Sequence, residues 1–134
     1  MAQPNKEQLY DWVDAHAEEA LQLLEKFAAQ PSISAQNYGL EDMAKLVQRT
    51  MQEYGVDAQL MDTAGGPPIV YGEVKGRGDH TLLLYNHYDV QPVDPLELWE
   101  TPPFEPSRRD GKLYARGVAD DKDDIVIRLS AMRA

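Results

Sequence analysis

The chain has 134 residues, with 23 Asp or Glu against 13 Lys or Arg, so its formal net charge at pH 7 is -10. Because nucleic acids and anionic membranes repel a surface of that sign, the charge argues against both as partners. The absence of cysteine excludes a disulfide framework, a thiolate metal site and a cysteine nucleophile. We see no apolar run of the kind found in a signal peptide or a membrane span, and we therefore expect a soluble, cytoplasmic protein of one domain.

The N-terminal segment predicts a long amphipathic helix. Apolar residues recur at three- and four-residue spacing from Leu9 to Phe27, the period of a helix with one buried face. Asn5 is a suitable N-cap, and Gln8 three positions later completes a capping-box pattern. Pro31 marks the end of this helix.

A second helix and two strands follow in the prediction. The helix covers residues 40–54, and Gly55 suits the left-handed residue that commonly ends a helix. Residues 58–62 and 69–75 predict strands, separated by the turn sequence GGPP at 65–68.

The remaining elements complete an α/β pattern. Residues 81–85 are nearly all apolar, which predicts a strand covered on both faces. A proline-rich loop over 91–110, a short strand at 112–114 and a last helix over 121–133 come next. The order of elements predicts an α/β layered domain, with a mixed β-sheet flanked by helices.

One polar cluster, Asn86-His87-Tyr88-Asp89, directly follows the predicted strand at 81–85. Side chains alternate along a strand, so His87 and Asp89 are expected on the same face. Imidazole is a good zinc ligand, and a neighbouring carboxylate can hold its other nitrogen and select the tautomer. A structural or surface role is the alternative for this pair.

An acidic cluster lies at residues 120–124, where the last helix is predicted to begin. Carboxylates at a helix N-terminus are favoured by the helix dipole, so capping is one explanation. A calcium-binding EF-hand does not fit, because Lys122 stands at an expected ligand position and the required glycine and closing glutamate are absent. A bridging metal carboxylate is the other explanation.

Three segments together resemble a known family. They read LLYNHYDVQP at 83–92, WETPPFEP at 99–106 and DGKLYARGVADDK at 110–122. The chain resembles the M20 metallopeptidases, which include dipeptidases, carboxypeptidases and N-acyl amino acid hydrolases. The resemblance identifies residues 1–134 as the N-terminal portion of an M20-type, zinc-peptidase-like catalytic domain, without the lid or dimerisation domain.

The resemblance implies a role for each residue of the motifs. His87 would be a metal ligand, Asp89 would be the catalytic-site acid that orients His87, and Asp120 would bridge two metal ions. The peptide bond from Asp120 to Asp121 would be cis. The complete enzyme would use two zinc ions, or other divalent metals, to activate a water that hydrolyses a small peptide or N-acyl amino acid.

Departures from the family qualify these expectations. The family's later Glu-Glu pair, which supplies the general base and a metal ligand, is missing after Asp120, and Glu18-Glu19 lies too far upstream to replace it. Asp123 also stands where the family commonly has glycine. We therefore expect the isolated chain to be inactive. The alternative to a hydrolase is a non-catalytic module that acts in interaction or assembly. A homo-oligomer is left open. The segment Asp120-Asp121-Lys122 favours the dipeptidase and carboxypeptidase branch, because deacylases more often carry methionine after the bridging aspartate.

Overall fold

The first helix, α1, begins where its capping residues predict. The computed structural model describes residues 5–134, and in it α1 spans Lys6–Ala29. The Asn5 side chain accepts a hydrogen bond from the Gln8 main-chain nitrogen at 2.9 Å, and the Gln8 side chain accepts one from the Asn5 nitrogen at 2.9 Å. This reciprocal pair satisfies two amide donors that the first helical turn leaves free. Among residues 5–134, no helix is both long and apolar enough to cross a lipid bilayer.

The second helix, α2, spans Leu40–Glu53 and leads into an antiparallel pair of strands. Gly55 follows it with φ of 80°, as the sequence predicts. Strands β1, Asp57–Met61, and β2, Ile69–Glu73, pair in register from Asp57 opposite Glu73 to Met61 opposite Ile69. The predicted helix and both predicted strands are thus present, with ends shifted by one or two residues.

The core lies where the three helices pack against one another, next to the start of β1. A third helix, α3, covers Asp123–Arg133 at the end of the chain. The buried apolar cluster consists of Leu24, Phe27, Met43, Leu46, Val47, Val56, Ile125, Val126 and Leu129. Because its members come from both ends of the sequence, this core holds α3 against the two N-terminal helices.

A second antiparallel pair follows the proline-rich loop. Strand β3, Ser107–Arg109, pairs with β4, Lys112–Tyr114. Asp110 and Gly111 connect them with φ of 49° and 72°, the positive angles that a tight hairpin turn of this kind requires. The sequence predicted β4 but not β3. The strands form two separate two-stranded antiparallel sheets where one mixed sheet was predicted, while the α/β class is confirmed.

The apolar run at 81–85 does not form the predicted covered strand. Residues 81–85 have no regular secondary structure, and Leu82, Leu83 and Tyr85 are 81%, 85% and 77% exposed. An apolar run becomes a buried strand only when neighbouring strands satisfy its backbone and other layers cover its faces. No strand among residues 5–134 pairs with this segment, so it stays uncovered.

The acidic segment before α3 also differs from the prediction. The helix was predicted from residue 121, but regular α-helix begins at Asp123, after an irregular turn over Val118–Lys122. Asp120 and Asp121 have non-helical backbone angles, and the peptide bond between them is cis, as the family resemblance implies. Lys122 is fully buried, and this burial lowers its pKa to about 8.

Candidate metal centre

The imidazole of His87 lies between two carboxylates. Its Nδ1 is 3.3 Å from Asp89 Oδ1 and 3.1 Å from the main-chain oxygen of Asp89. Its Nε2 is 3.1 Å from Asp120 Oδ1. The structure therefore brings together all three residues that the sequence singled out, although the segment carrying His87 and Asp89 is not a strand. Their roles toward a metal ion stay a prediction.

The charge around His87 favours the protonated imidazole when no metal is bound. Partial burial opposes the charged ring. The Asp89 carbonyl and the carboxylates of Asp121, Asp89 and Asp120 outweigh that cost, so the pKa of His87 lies above its ordinary value. A proton or a cation at Nε2 is thus stabilised by the same group of oxygens.

Asp121 supports the segment that carries His87. One of its carboxylate oxygens, Oδ2, accepts hydrogen bonds from Asn86 Nδ2 at 3.0 Å and from the His87 main-chain nitrogen at 3.1 Å. Partial burial of Asp121 works against its ionisation, but these hydrogen bonds prevail and lower its pKa. A hydrogen bond with Asp121 also raises the pKa of Asp124. Asp121 therefore fixes the backbone of His87 while Asp120 faces its ring.

Arg128 on α3 holds the same segment from the other side. Its guanidinium donates to Asn86 Oδ1 at 2.6 Å and to the main-chain oxygen of Tyr85. Arg128 Nη2 also lies 3.7 Å from Asp124 Oδ2, one turn earlier on the helix. The sequence did not predict supporting roles for Asn86, Asp121 and Arg128. Asn86 and Asp121 stand beside His87 and Asp120 in the chain, which could have indicated them, whereas Arg128 has no such local signal.

The acidic cluster divides into two pairs. Asp123 and Asp124 lie in the first turn of α3, which agrees with the helix-dipole explanation. Asp120 and Asp121 precede the regular helix and turn toward His87 and Asn86. The irregular backbone at this point separates carboxylates that stabilise a helix from carboxylates that meet the histidine.

The donor chemistry of His87 and Asp120 suits a divalent metal, but the number of donors is too small for a complete site. Two ligands of one tetrahedral zinc ion, each at about 2.0–2.2 Å, lie roughly 3.3–3.6 Å apart, slightly more than the observed 3.1 Å between Nε2 and Oδ1. A stable zinc site needs three or four protein ligands. Over residues 5–134, no group of three or more His, Asp or Glu side chains is arranged to hold a metal ion. The described chain thus offers two candidate ligands and their supports.

Comparison with known proteins shows the family. A family model described as peptidase family M20/M25/M40 matches residues 83–134, which carry His87, Asp89 and Asp120. The chain is 37% identical over 94 residues to a cysteinylglycine-S-conjugate dipeptidase from Corynebacterium striatum, an alignment that covers 69% of this chain and 21% of that protein. The chain belongs to peptidase family M20.

Other M20 proteins extend this similarity to most of the chain. A succinyl-diaminopimelate desuccinylase from Methylibium petroleiphilum is 37% identical over 120 residues, covering 84% of this chain and 30% of that protein. The crystal structure of an M20 family metallo-carboxypeptidase from Sulfolobus solfataricus matches with a TM-score of 0.83 and 41% identity, covering 86% of this chain and 26% of that one. The fold is that of part of an M20 peptidase, and the chain spans less than a third of the length of these relatives.

Proposed function

We propose that this chain supplies part of the catalytic centre of a metal-dependent hydrolase that cleaves peptide or amide bonds. The observation that carries the proposal is the His87 imidazole, which lies 3.1 Å from Asp120 at Nε2 and 3.3 Å from Asp89 at Nδ1. A carboxylate on one ring nitrogen fixes the tautomer that leaves the other nitrogen free for a metal ion. Membership of a peptidase family supports hydrolysis as the reaction that such a metal ion would serve.

Each residue of the proposed centre has a separate task. His87 Nε2 and Asp120 would hold a divalent metal, zinc in the first instance, and Asp120 would be shared between two ions. Asp89 would accept a hydrogen bond from His87 Nδ1–H, through its main-chain oxygen at 3.1 Å and its carboxylate at 3.3 Å, and so keep the ring in its orientation. Asp121 would hold the His87 backbone in place through its hydrogen bond of 3.1 Å. A bound zinc ion would lower the pKa of its water and polarise the scissile carbonyl.

The proposed substrates are small peptides or N-acyl amino acids. The names of the matched relatives include a dipeptidase, a desuccinylase and a metallo-carboxypeptidase, and each name implies hydrolysis of an amide bond next to a carboxylate-bearing unit. We favour the dipeptidase and carboxypeptidase branch, because Asp121 follows Asp120 where deacylases more often have methionine.

A non-catalytic role is the second candidate function for the chain on its own. It is favoured by the number of donors, since His87 and Asp120 are fewer than the three or four protein ligands of a zinc site. We propose that further ligands and a general base must come from additional polypeptide before the centre turns over. Loss of a general base alone lowers a rate by typically 10²–10⁴-fold.

Zinc titration of the purified chain against a competing chelator tests the proposal. We expect weak binding that His87→Gln and Asp120→Asn each reduce by about tenfold or more, with Asp89→Asn reducing it by about 10–100-fold through the ring orientation. His80→Gln is the matched control, because His80 is exposed and takes no part in these contacts. Equal zinc affinity in the wild type and the His87 variant would contradict the metal role.

Dipeptide hydrolysis with added zinc separates the two candidate functions. We expect no efficient turnover by the 134-residue chain. Robust turnover in the wild type, abolished in His87→Gln and retained in His80→Gln, would show that the chain completes a working centre by itself and would overturn the expectation of inactivity.

A further inference from the structure

Lys122 is a fully buried cation whose partners are main-chain oxygens. It is 0% exposed, and its Nζ donates to the Phe27 oxygen at 3.0 Å and to the Gln30 oxygen at 2.6 Å. Both oxygens belong to the C-terminal end of α1 and the residue that caps it. The last carbonyls of a helix lack the amide partner that a further helical turn would supply, and they carry partial negative charge. An ammonium group at this end donates hydrogen bonds to them and is attracted by that charge.

The stem of Lys122 packs into a narrow space beside the candidate metal centre. Gly117 has φ of 80°, and a Cβ at that position would stand 2.5 Å from Val90 Cγ1 and 3.3 Å from Lys122 Cδ. The main-chain nitrogen of Lys122 also donates to the Gly117 oxygen at 3.1 Å. Lys122 thus bonds to the end of α1 and to the turn that carries Asp120, and its stem lines the same narrow space beside Gly117 as Val90.

Asp120 and Asp121, the two residues before Lys122, carry the carboxylates that contact the His87 segment. Lys122 directly follows Asp121, and the backbone from Asp120 to Asp121 is irregular, so no continuous helix sets its direction. A side chain held by two carbonyls of α1 supplies that fixed point. Asp120 then meets His87 Nε2 at 3.1 Å, and Asp121 meets the His87 nitrogen at 3.1 Å.

We propose that Lys122 is a positioning residue: its ammonium anchors the Asp120–Asp121 segment to the C-terminal end of α1 and so sets the contacts of both carboxylates with the His87 segment. Its consequence for metal binding rests on the proposed function. Its effect on the geometry does not, and it can be measured without metal.

Nuclear magnetic resonance of the metal-free chain, kept in excess EDTA, provides the first test. The His87 backbone amide and the Asn86 side-chain amide both donate to Asp121, so their resonances report the position of that carboxylate. We expect Lys122→Met to move both resonances toward the positions that they take in Asp121→Ala. Met43→Ala is the control, because it removes a fully buried core side chain and destabilises the fold without changing the anchor.

Chemical rescue provides a second test that does not depend on how well Lys122→Met folds. The chain has no cysteine, so a Lys122→Cys variant has a single thiol, and its thiolate is alkylated faster than any other side chain at mildly alkaline pH. Reaction of the unfolded variant with 2-bromoethylamine forms a carbon–sulfur bond, releases bromide and restores an ammonium at nearly the original length. Reaction with 2-bromoethanol leaves a neutral side chain of the same length. After refolding, we expect only the ammonium derivative to return the His87 and Asn86 resonances to their wild-type positions.

Zinc affinity then connects the anchor to the proposed function. We expect Lys122→Met to lower zinc affinity by about tenfold or more, and Met43→Ala to leave it unchanged below its unfolding temperature. Failure of the wild type to bind zinc would contradict the proposed function alone. Unmoved His87 and Asn86 resonances in Lys122→Met, or equal behaviour of the charged and neutral derivatives, would overturn the role of Lys122.

Discussion

The hydroxyl of Ser32 donates a hydrogen bond to the main-chain oxygen of Tyr88 across 2.7 Å, although the two residues are 56 positions apart in the chain. The Val90 nitrogen returns a bond to the Ser32 oxygen at 2.8 Å, and Ile33 and Val90 form an isolated parallel bridge. Ser32 is fully buried. The loop after α1 therefore supplies the pairing that holds the segment carrying His87.

Replacement of Ser32 tests the strength of this connection. We expect Ser32→Ala to lower the free energy of unfolding by about 1–2 kcal/mol, because it removes a hydrogen bond from a buried donor and leaves the half-buried Tyr88 oxygen without it. Urea denaturation followed by tryptophan fluorescence measures the change. Ser34→Ala is the matched control, since Ser34 is exposed and its loss should stay within about 0.5 kcal/mol. Equal effects of the two substitutions would contradict the importance of the Ser32 bond.

Gly39 and Gly55 both have a positive φ, but only Gly39 lacks room for a side chain. Gly39 has φ of 72°, and a Cβ there would stand 2.2 Å from the Pro31 oxygen, whereas Gly55 has φ of 80° and an open surrounding. We expect Gly55→Ala to cost about 1–2 kcal/mol, the penalty of a left-handed L-residue. Gly39→Ala should cost clearly more, because the clash forces the backbone to move. Thermal unfolding of the two variants side by side checks this order, and equal midpoints would show that the contact with Pro31 is absent.

The ion pairs of Arg108 predict a pH-dependent contribution to stability. Arg108 Nε lies 2.5 Å from Glu25 Oε1, and its Nη1 lies 2.8 Å from Glu18 Oε2. The hydrogen bond from Arg108, followed by that from Gln22, lowers the pKa of Glu18 below its usual 4.5. A carboxylate with a lowered folded-state pKa stabilises the protein above its unfolded-state value and loses that contribution as the pH falls through the folded-state value.

We therefore expect Arg108→Met to lower the unfolding midpoint modestly at pH 7, with the difference from wild type shrinking below pH ~4. High salt should reduce the difference as well, because these side chains are exposed and screened. Lys112→Met is the control for charge, since Lys112 lies on the neighbouring strand β4 and is also exposed. A deficit in Arg108→Met that is the same at pH 3 and pH 7 would rule out the ionic explanation.

The uncovered apolar segment predicts self-association of the 134-residue chain. Leu82 and Leu83 are 81% and 85% exposed, and an extended segment with unpaired backbone groups is a template for pairing with a second copy. We expect sedimentation velocity at an ionic strength of about 0.15 M to show association that depends on protein concentration. The double substitution of Leu82 and Leu83 to Ser should reduce it, whereas Ser at the exposed Leu96 and Leu98 should not. A strictly monomeric wild type at every concentration would contradict this prediction.

The sequence alone determined the elements whose physics is local. The apolar period and the capping pair at Asn5 and Gln8 located α1, and Gly55 marked the end of α2, because helix formation and helix ends depend on residues within one or two turns. The sequence also identified His87, Asp89 and Asp120 as candidate site residues, since the family resemblance rests on short motifs of neighbouring residues.

Only the tertiary structure decided what depends on contacts between distant segments. Residues 81–85 have the composition of a buried strand, yet they lack the partners that would bury them. Neither helix-capping rules nor the motif showed that Asp121 would support the His87 backbone, or that Lys122 would bond carbonyls at the end of α1. These outcomes follow from the packing of α3 against α1 and from hydrogen bonds between distant segments. The packing and the long-range bonds form only in the folded chain, so no local pattern encodes them.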